Sequence, residues 1–592
     1  MKEALFGRKW RILLLMAVIA LALAACGRGG NDTPAADDAD PGPATQDEEP
    51  AQTQDDGDEG DDDATVVDGP AFPSRDGVYV PPPRYVEATI TVASWGGDGR
   101  FIEDIGRREF EPEYLSANNH AQHHIAARIF NERFPNVQVN SWAESSSHID
   151  NSPLSWLQHR TDFEMEHGIQ IDIWAVRDMA NDIERGLVAD LSVFDNDPMF
   201  HLYNPGLISM FELEGHVFGV PHYGIPWGIF VNRSLAEAQN IDPPPVNWTL
   251  RQYTEFTSHS AANDFYGAMG IPMTFINSAT RDVYYQMLNR GPGDPFVTVN
   301  SPSMRSILEL IPTWANHAVW PQYNIGNITD AFMDEFWWWG WEFFGAGRLL
   351  TLDINPYMVF EGGFIPGHWA YARVDDWDMY PRPSTDYIGN HIGLMLGGMS
   401  IRNFAMDDGN PELSDEEYLQ LALAWEFVKI LTAETRFWEE SLEFYFYDRV
   451  HEDWSTGEAV GVYERIVPFN GSFPFVIGPD FDAQMAIWYQ VPMHRHLLDM
   501  PGHNRVVELW EQGAFYLTPW TLPGNFEFEG EVRNIMHEWW NMDDPDIAGA
   551  RMTDPNWLDQ VFARLPDWEA QFNQRFEDRL LDMYAALDQF YR

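Results

Sequence analysis

The chain has 592 residues and carries 92 Asp and Glu against 36 Lys and Arg, a net charge of −56. So acidic a chain excludes nucleic acid as a partner, because the phosphate backbone attracts basic faces, and it argues against anionic ligands. A single cysteine, Cys26, excludes an internal disulfide, so the fold must stand on packing alone.

Lys2, Arg8, Lys9 and Arg11 make a positive leader, and Ile12 to Ala25 is an apolar run of 14 residues, signal-peptide length rather than membrane-spanning length. Small residues before Cys26 match the pattern that bacterial lipoprotein signal peptidases cut. Cys26 would then be the new N-terminus, lipid-modified and held at the outer face of the cell membrane, in a Gram-positive-type envelope. Residues 26–87 read as a disordered acidic tether: from residue 31 to 69 there are 15 Asp and Glu and no Lys or Arg. Such a stretch cannot bury enough apolar surface to offset its ordering entropy, and as a flexible chain it spans about 40–45 Å. Its acidic run, Asp55 to Asp63, reads as a solvated spacer, since a calcium loop needs carboxylates at fixed alternating positions with a turn glycine.

The remaining body, about 505 residues, is long enough for two or three domains. Lys429 is its only lysine, and arginine supplies the other positive charges, as suits alkaline or saline surroundings. The segment Ala88 to Gly97 alternates small or β-branched residues and breaks on glycines, which predicts a first strand. Ile125, Ile129, Phe130 and Phe134 predict a helix stopped by Pro135, and Val137-Gln138-Val139 begins a second strand. A third strand is expected over Ile169 to Val176, then a helix from Met179 to Arg185. Strand, helix, strand, helix in this order implies a parallel sheet with ligands at its strand C-terminal ends.

The strand ending in Trp95, the run Phe130 to Val139, and Asp172-Ile173-Trp174 followed by Gly186 to Leu191 resemble the family 1 extracellular solute-binding proteins. The most specific stretch is Gly215 to Tyr223, then Gly228 to Leu235, then Ile241 to Leu250, which is similar to that family's crossing into its second lobe. Phe344 to Arg348, Leu423 to Thr432 and Val467-Pro468 extend the resemblance more weakly, so that it covers Ala88 to the end. It implies an α/β, two-lobed periplasmic-binding-protein-like fold with hinge-crossing strands and discontinuous lobes. By that analogy lobe one holds 88–222 and 395–460, and lobe two holds 223–394 and 461–592. The implied function is capture of a carbohydrate, most simply an oligosaccharide, by hinge closure, for presentation to the permease subunits of an ABC importer. The receptor would be a monomer, with no cofactor.

The body is rich in aromatic rings, which stack on the apolar faces of sugars while carboxylates and amides bond the hydroxyls. Most such residues serve cores, so position decides. Trp95 ends the first strand, Trp174 lies at the third, and Tyr223 and Trp227 flank the first crossing, all places where the family lines its cleft. Tyr357 and Trp369 follow the Gly-Arg segment that precedes binding aromatics in the family. Asp98 and Asp375 are the carboxylates proposed to contact ligand. Gly397 and Gly398 lie where the chain would cross back, and bare backbone there either approaches the ligand or makes a tight turn. Trp337 to Trp341 fall on a predicted helix, where successive side chains turn by about 100° and cannot share one face.

His120, His123 and His124 have a spacing that zinc could use, but no Cys or second His group completes a site, so they read as a polar helix surface and no metal is expected. The segment from Arg100 to His124 is longer than the family's first connection. No H-E-x-x-H, G-x-S-x-G or P-loop is present, and no catalytic residue is assigned. The rivals are a glycoside hydrolase, which needs only two spaced carboxylates, and a carbohydrate-binding surface protein without a transporter.

Overall fold

The computed structural model describes residues 78–97, 100–109, 118–145, 156–176, 178–261, 264–269, 273–291, 294–319, 344, 347–353, 376–406, 413–443, 449–452, 459–463, 471–495, 497–516, 520–522 and 555–591. Strand β1 (Ala88–Gly97) stops on the glycines that the sequence marked. Its residues Ile90 to Ser94 are buried on both faces, as an inner strand of a parallel sheet requires. After it come β2 (Arg100–Ile102), α1 (Asn118–Arg133), β3 (Val137–Ser145), α2 (Trp156–His167), β4 (Ile173–Ala175) and α3 (Met179–Glu184). β1 runs parallel to both β3 and β4. β4 is shorter than expected because Asp172 replaces a rung. Its carboxylate accepts the Thr91 N–H at 2.9 Å while its own N–H donates to the Thr91 carbonyl at 3.0 Å.

The stripe Ile125, Ile129, Phe130 and Phe134 is buried as predicted. The expectation that His120, His123 and His124 form a polar helix surface is corrected: all three are buried. Two sets of contacts account for this: His120 and His123 face Ser141 of β3, and His124 is covered by the described start of the connection before α1. His124 Nδ1 meets the Ile105 carbonyl at 2.8 Å, and a Cβ on Gly106 would lie 2.7 Å from the Ala127 backbone.

β5 (Val220–Trp227) lies at one edge of this first sheet, and Gly228 alone separates it from β6 (Ile229–Asn232) in a second sheet. Helix α4 (Met273–Leu288), β7 (Thr351–Leu352) and β8 (Trp377–Tyr380) follow, and β9 (Gly393–Ile401) returns the chain to the first sheet. The six-stranded sheet has the order β2-β3-β1-β4-β9-β5, with β9 antiparallel to both neighbours, so it is parallel only at its centre. The second sheet is antiparallel, in the order β7-β6-β8.

Two hydrophobic cores result. The larger contains Ile90, Phe130, Phe427 and Trp425; the smaller contains Trp248, Phe275, Ile311 and Trp314. Helix α5 (Asp415–Thr432) is started by a capping box between Ser414 and Glu417 and packs on the larger core. Helix α6 (Pro501–Glu511) has no cap of its own, and Asp378 of β8 supplies one, accepting the N–H groups of Gly502 and His503 at 2.8 and 3.0 Å. Phe473, Trp488 and Trp510 place the 471–516 stretch against the larger core. Helix α7 (Pro555–Phe590), 36 residues and so about 54 Å long, buries Val561, Leu565, Phe572 and Phe576 in the smaller core, then Met583 and Leu587 in the larger.

Candidate functional site

Where the two sheets meet, four segments converge on one carboxylate. Asp353 follows β7, Thr274 lies in the first turn of α4, Arg382 follows β8, and Trp227 closes β5. Arg382 pairs with Asp353 through both nitrogens, at 3.0 and 2.8 Å, with side chains only 1% and 5% exposed. The Trp227 indole N–H donates to Asp353 Oδ1 at 2.9 Å, and the Thr274 hydroxyl donates to Oδ2. The Arg382 guanidinium carbon lies 5.3 Å from the Trp227 ring centroid. Such charge-assisted bonds are the strong ones, and together they fix an indole that is itself only half-buried. Burial, then the Asp353 charge, pushes the Tyr253 hydroxyl up to about 12.

Tyr223 lies four residues before Trp227 on the same strand, so both project to one face, about 13 Å apart. Tyr223 is 9% exposed and pairs with Gly397 across the ladder. Gly398, after a bulge, is packed so tightly on Phe211 that a Cβ there would overlap its ring. Its carbonyl accepts the Val176 N–H at 2.7 Å. That closeness is to protein, not to open space. Trp174, expected at the cleft, is fully enclosed: its indole donates to Asp182 at 3.2 Å and Arg160 lies 4.5 Å over its ring. Burial raises Asp182 to about 6. Trp95 is a strand residue paired with Glu144. Cys26 and the tether up to residue 77, Asp98, Trp337 to Trp341, Tyr357, Trp369 and Asp375 lie outside the described residues, whereas Val78 to Glu87, expected as the end of the disordered tether, are described and Tyr79 among them is buried in the larger core.

The sequence missed one group and misread another. Asp353, Arg382 and Thr274 gave no motif; the only mark was an arginine between two prolines, Pro381 and Pro383. The second group lines the first sheet, where His120 and His123 both place Nδ1 on Ser141 Oγ, at 2.9 and 2.7 Å. His222, next to Tyr223, places Nε2 2.9 Å from Gln122 Oε1; that oxygen only accepts, so His222 donates. Burial lowers His222 to about 4 and His123 well below its ordinary value, with the charges of His120 and His222 adding to the second shift. Among the described residues no group of three or more His, Cys, Asp or Glu is arranged to hold a metal ion.

A sugar transporter from Rhizobium etli, solved in an open conformation, is similar to this chain at a TM-score of 0.51 with 14% identity, over 81% of this chain and 99% of that one. The chain has that two-lobed solute-binding-protein fold. Two family 1 extracellular solute-binding proteins are also similar. That of Alicyclobacillus acidocaldarius has a TM-score of 0.48 with 12% identity, over 82% of this chain and 99% of that one. That of Bifidobacterium longum subsp. infantis has 0.45 with 13% identity, over 81% and 99%. No family model matches the sequence, and no curated protein does. In this chain β5 leaves the first sheet, and Trp227 is held, where the two sheets meet.

Proposed function

We propose that this chain is a lipid-anchored extracellular receptor that captures a neutral carbohydrate, an oligosaccharide in the simplest case, and delivers it to the permease subunits of an ABC importer. The observation that carries the reading is Trp227: a half-buried ring, bonded at its edge and placed at the crossing between two sheets. The similarity in fold to a protein described as a sugar transporter supports the class of ligand. The proposed lobes are 88–222 with 395–460, and 223–394 with 461–592, and the larger core also takes in the 471–516 stretch and the end of α7. Ligand that touches both lobes only when they are closed favours the closed form by that difference in affinity.

Trp227, Tyr223 and the backbone at Gly397 are the described part of the ligand surface, with Trp95, Asp98, Tyr357, Trp369 and Asp375 as its proposed remainder. Lipid on Cys26 and the acidic tether keep the monomeric receptor near its permease. No step of catalysis is assigned.

Calorimetry of the purified chain against maltotetraose, cellotetraose, xylotetraose and mannotetraose tests the reading, with tryptophan fluorescence and chromatography of the sugar alongside. Binding with a fluorescence change and an intact sugar is expected. Shortened products would instead make the chain a hydrolase, and binding of peptides with no tetrasaccharide bound would overturn the ligand class.

A further inference from the structure

We infer that Asp353 is a positioning residue of the ligand site, holding the Trp227 ring in one orientation through a relay that starts at Gly393. The inference rests on the ligand reading above. It adds a residue that touches no ligand but sets how well the ring can.

An indole on a strand end, half-exposed, has two free side-chain torsions and would sample several rotamers. Here its N–H is tied to Asp353 Oδ1 at 2.9 Å. Asp353 cannot move to follow it, because Arg382 grips both carboxylate oxygens and the Thr274 hydroxyl binds one of them. Arg382 in turn lies where it does because residue 393 has no side chain. A Cβ on Gly393 would overlap Arg382 Nε and come within 3.1 Å of the Trp227 Cβ. Gly393 is also the ladder partner of Trp227. The relay therefore closes on itself: strand pairing sets Gly393 opposite Trp227, the bare glycine admits Arg382, and Arg382 fixes the carboxylate that orients the ring.

The relay draws on both sheets. Trp227 and Gly393 belong to the first, and Asp353 and Arg382 extend strands of the second. The ring is thus referenced to both bodies that a ligand between them would touch. Ordering such a side chain before the ligand arrives removes a cost that binding would otherwise bear, equivalent to about threefold to tenfold in affinity.

The test uses 5-fluorotryptophan in the intact chain, with Trp227→Phe to assign the resonance. Wild type is expected to give one sharp Trp227 line, and Thr274→Val and Asp353→Asn a broadened or split one. Affinity for whichever of the four tetrasaccharides binds should fall about threefold to tenfold in Thr274→Val. The same substitution should change nothing further once Trp227→Phe has removed the indole N–H, a non-additivity that a purely structural role would not produce. A Trp227 line that stays single and unshifted in both variants while melting temperature drops overturns the inference, and so does an additive cycle. If no tetrasaccharide binds wild type, the carbohydrate reading has failed, while the resonance still decides whether Asp353 orients the ring.

Discussion

Around Lys429 and around Asp353 the chain assembles the same parts: a carboxylate paired to a cation, an indole N–H donated to that carboxylate, and the cation laid against an aromatic ring. Lys429 Nζ is 2.7 Å from both Asp197 and Glu426 and 4.8 Å from the Tyr79 ring centroid. Trp425 donates to Asp197 at 2.9 Å, as Trp227 does to Asp353. The difference is closure. Trp425 is fully buried and stacked on Phe194 at 5.2 Å, and Tyr79 seals the cluster by donating to Glu426 at 2.8 Å. Burial first, and then the Glu426 charge, raises the Tyr79 hydroxyl far above its ordinary value. Trp227 keeps part of its ring in solvent. The same chemistry therefore serves two ends: around Lys429 it fastens the segment that carries Tyr79, ahead of β1, onto the larger core, and around Asp353 it presents a ring.

The comparison is broken most sharply by removing each cation. Lys429→Met leaves two buried carboxylates without a counter-charge and should cost about 3–5 kcal/mol, read from denaturant melts, with ligand affinity of the folded fraction unchanged. Arg382→Met should cost a similar amount, since Asp353 is almost as buried, and should weaken binding as well. Equal affinity in both variants would show that the two clusters are equivalent and that Trp227 faces no ligand.

How much of this could be read from the sequence depends on the range of the contact. β1 was legible to the residue, because alternation and terminal glycines are local, and α1 was legible in its apolar stripe. β4 was shortened by an aspartate that substitutes its carboxylate for a rung, and periodicity does not report that. The buried histidines were misread because their partners are distant in sequence: Ser141 of β3 receives His120 and His123, and Ile105, in a connection with no periodicity of its own, covers His124. Asp353, Arg382 and Thr274 each sit at the end of a short element, and nothing local says that three such ends meet. The cap that Asp378 gives α6 spans 124 residues. Trp174 and Trp227 looked alike in sequence, as aromatics at strand ends, and only the partners Arg160 and Asp182 distinguish the enclosed one.

Acid should sharpen the contrast next. Burial lowers His391, beside Arg382, and His494, in the larger core, each to about 3, with the Arg281 and Arg382 charges adding at His391. A depressed histidine leaves stability intact above the unfolded value of 6.5 and removes it as pH falls below, because only the unfolded chain takes the proton. At pH 5 each group should cost about 2 kcal/mol, and His123 and His222 act in the same direction. Asp182 and Asp282, both raised to about 6 by burial, oppose this by about 1 kcal/mol each as they protonate. Melts at pH 7, 6 and 5 should show a net loss, and His391→Gln should reduce its slope. No histidine contacts Lys429 or its two carboxylates among the interactions of the described residues, so hydrogen exchange at pH 5 should rise near His391 before it rises in α5.

The finest division runs between two adjacent glycines. Gly398→Ala forces a methyl into the Phe211 ring, an overpacking that should cost about 1–3 kcal/mol, while ligand affinity stays as it was, since that contact belongs to the larger core. Gly397→Ala meets only the Tyr223 Cβ, at 3.3 Å, a contact a few tenths of an ångström of movement relieves. Its melting temperature should stay near wild type. Tyr223 shares a strand face with Trp227, so a displaced Tyr223 should register in binding instead, as a small loss of affinity with little loss of stability. The opposite pattern, affinity lost at 398 and stability lost at 397, would place the ligand on the Phe211 side of β9 and turn the site away from the face that Asp353 organises.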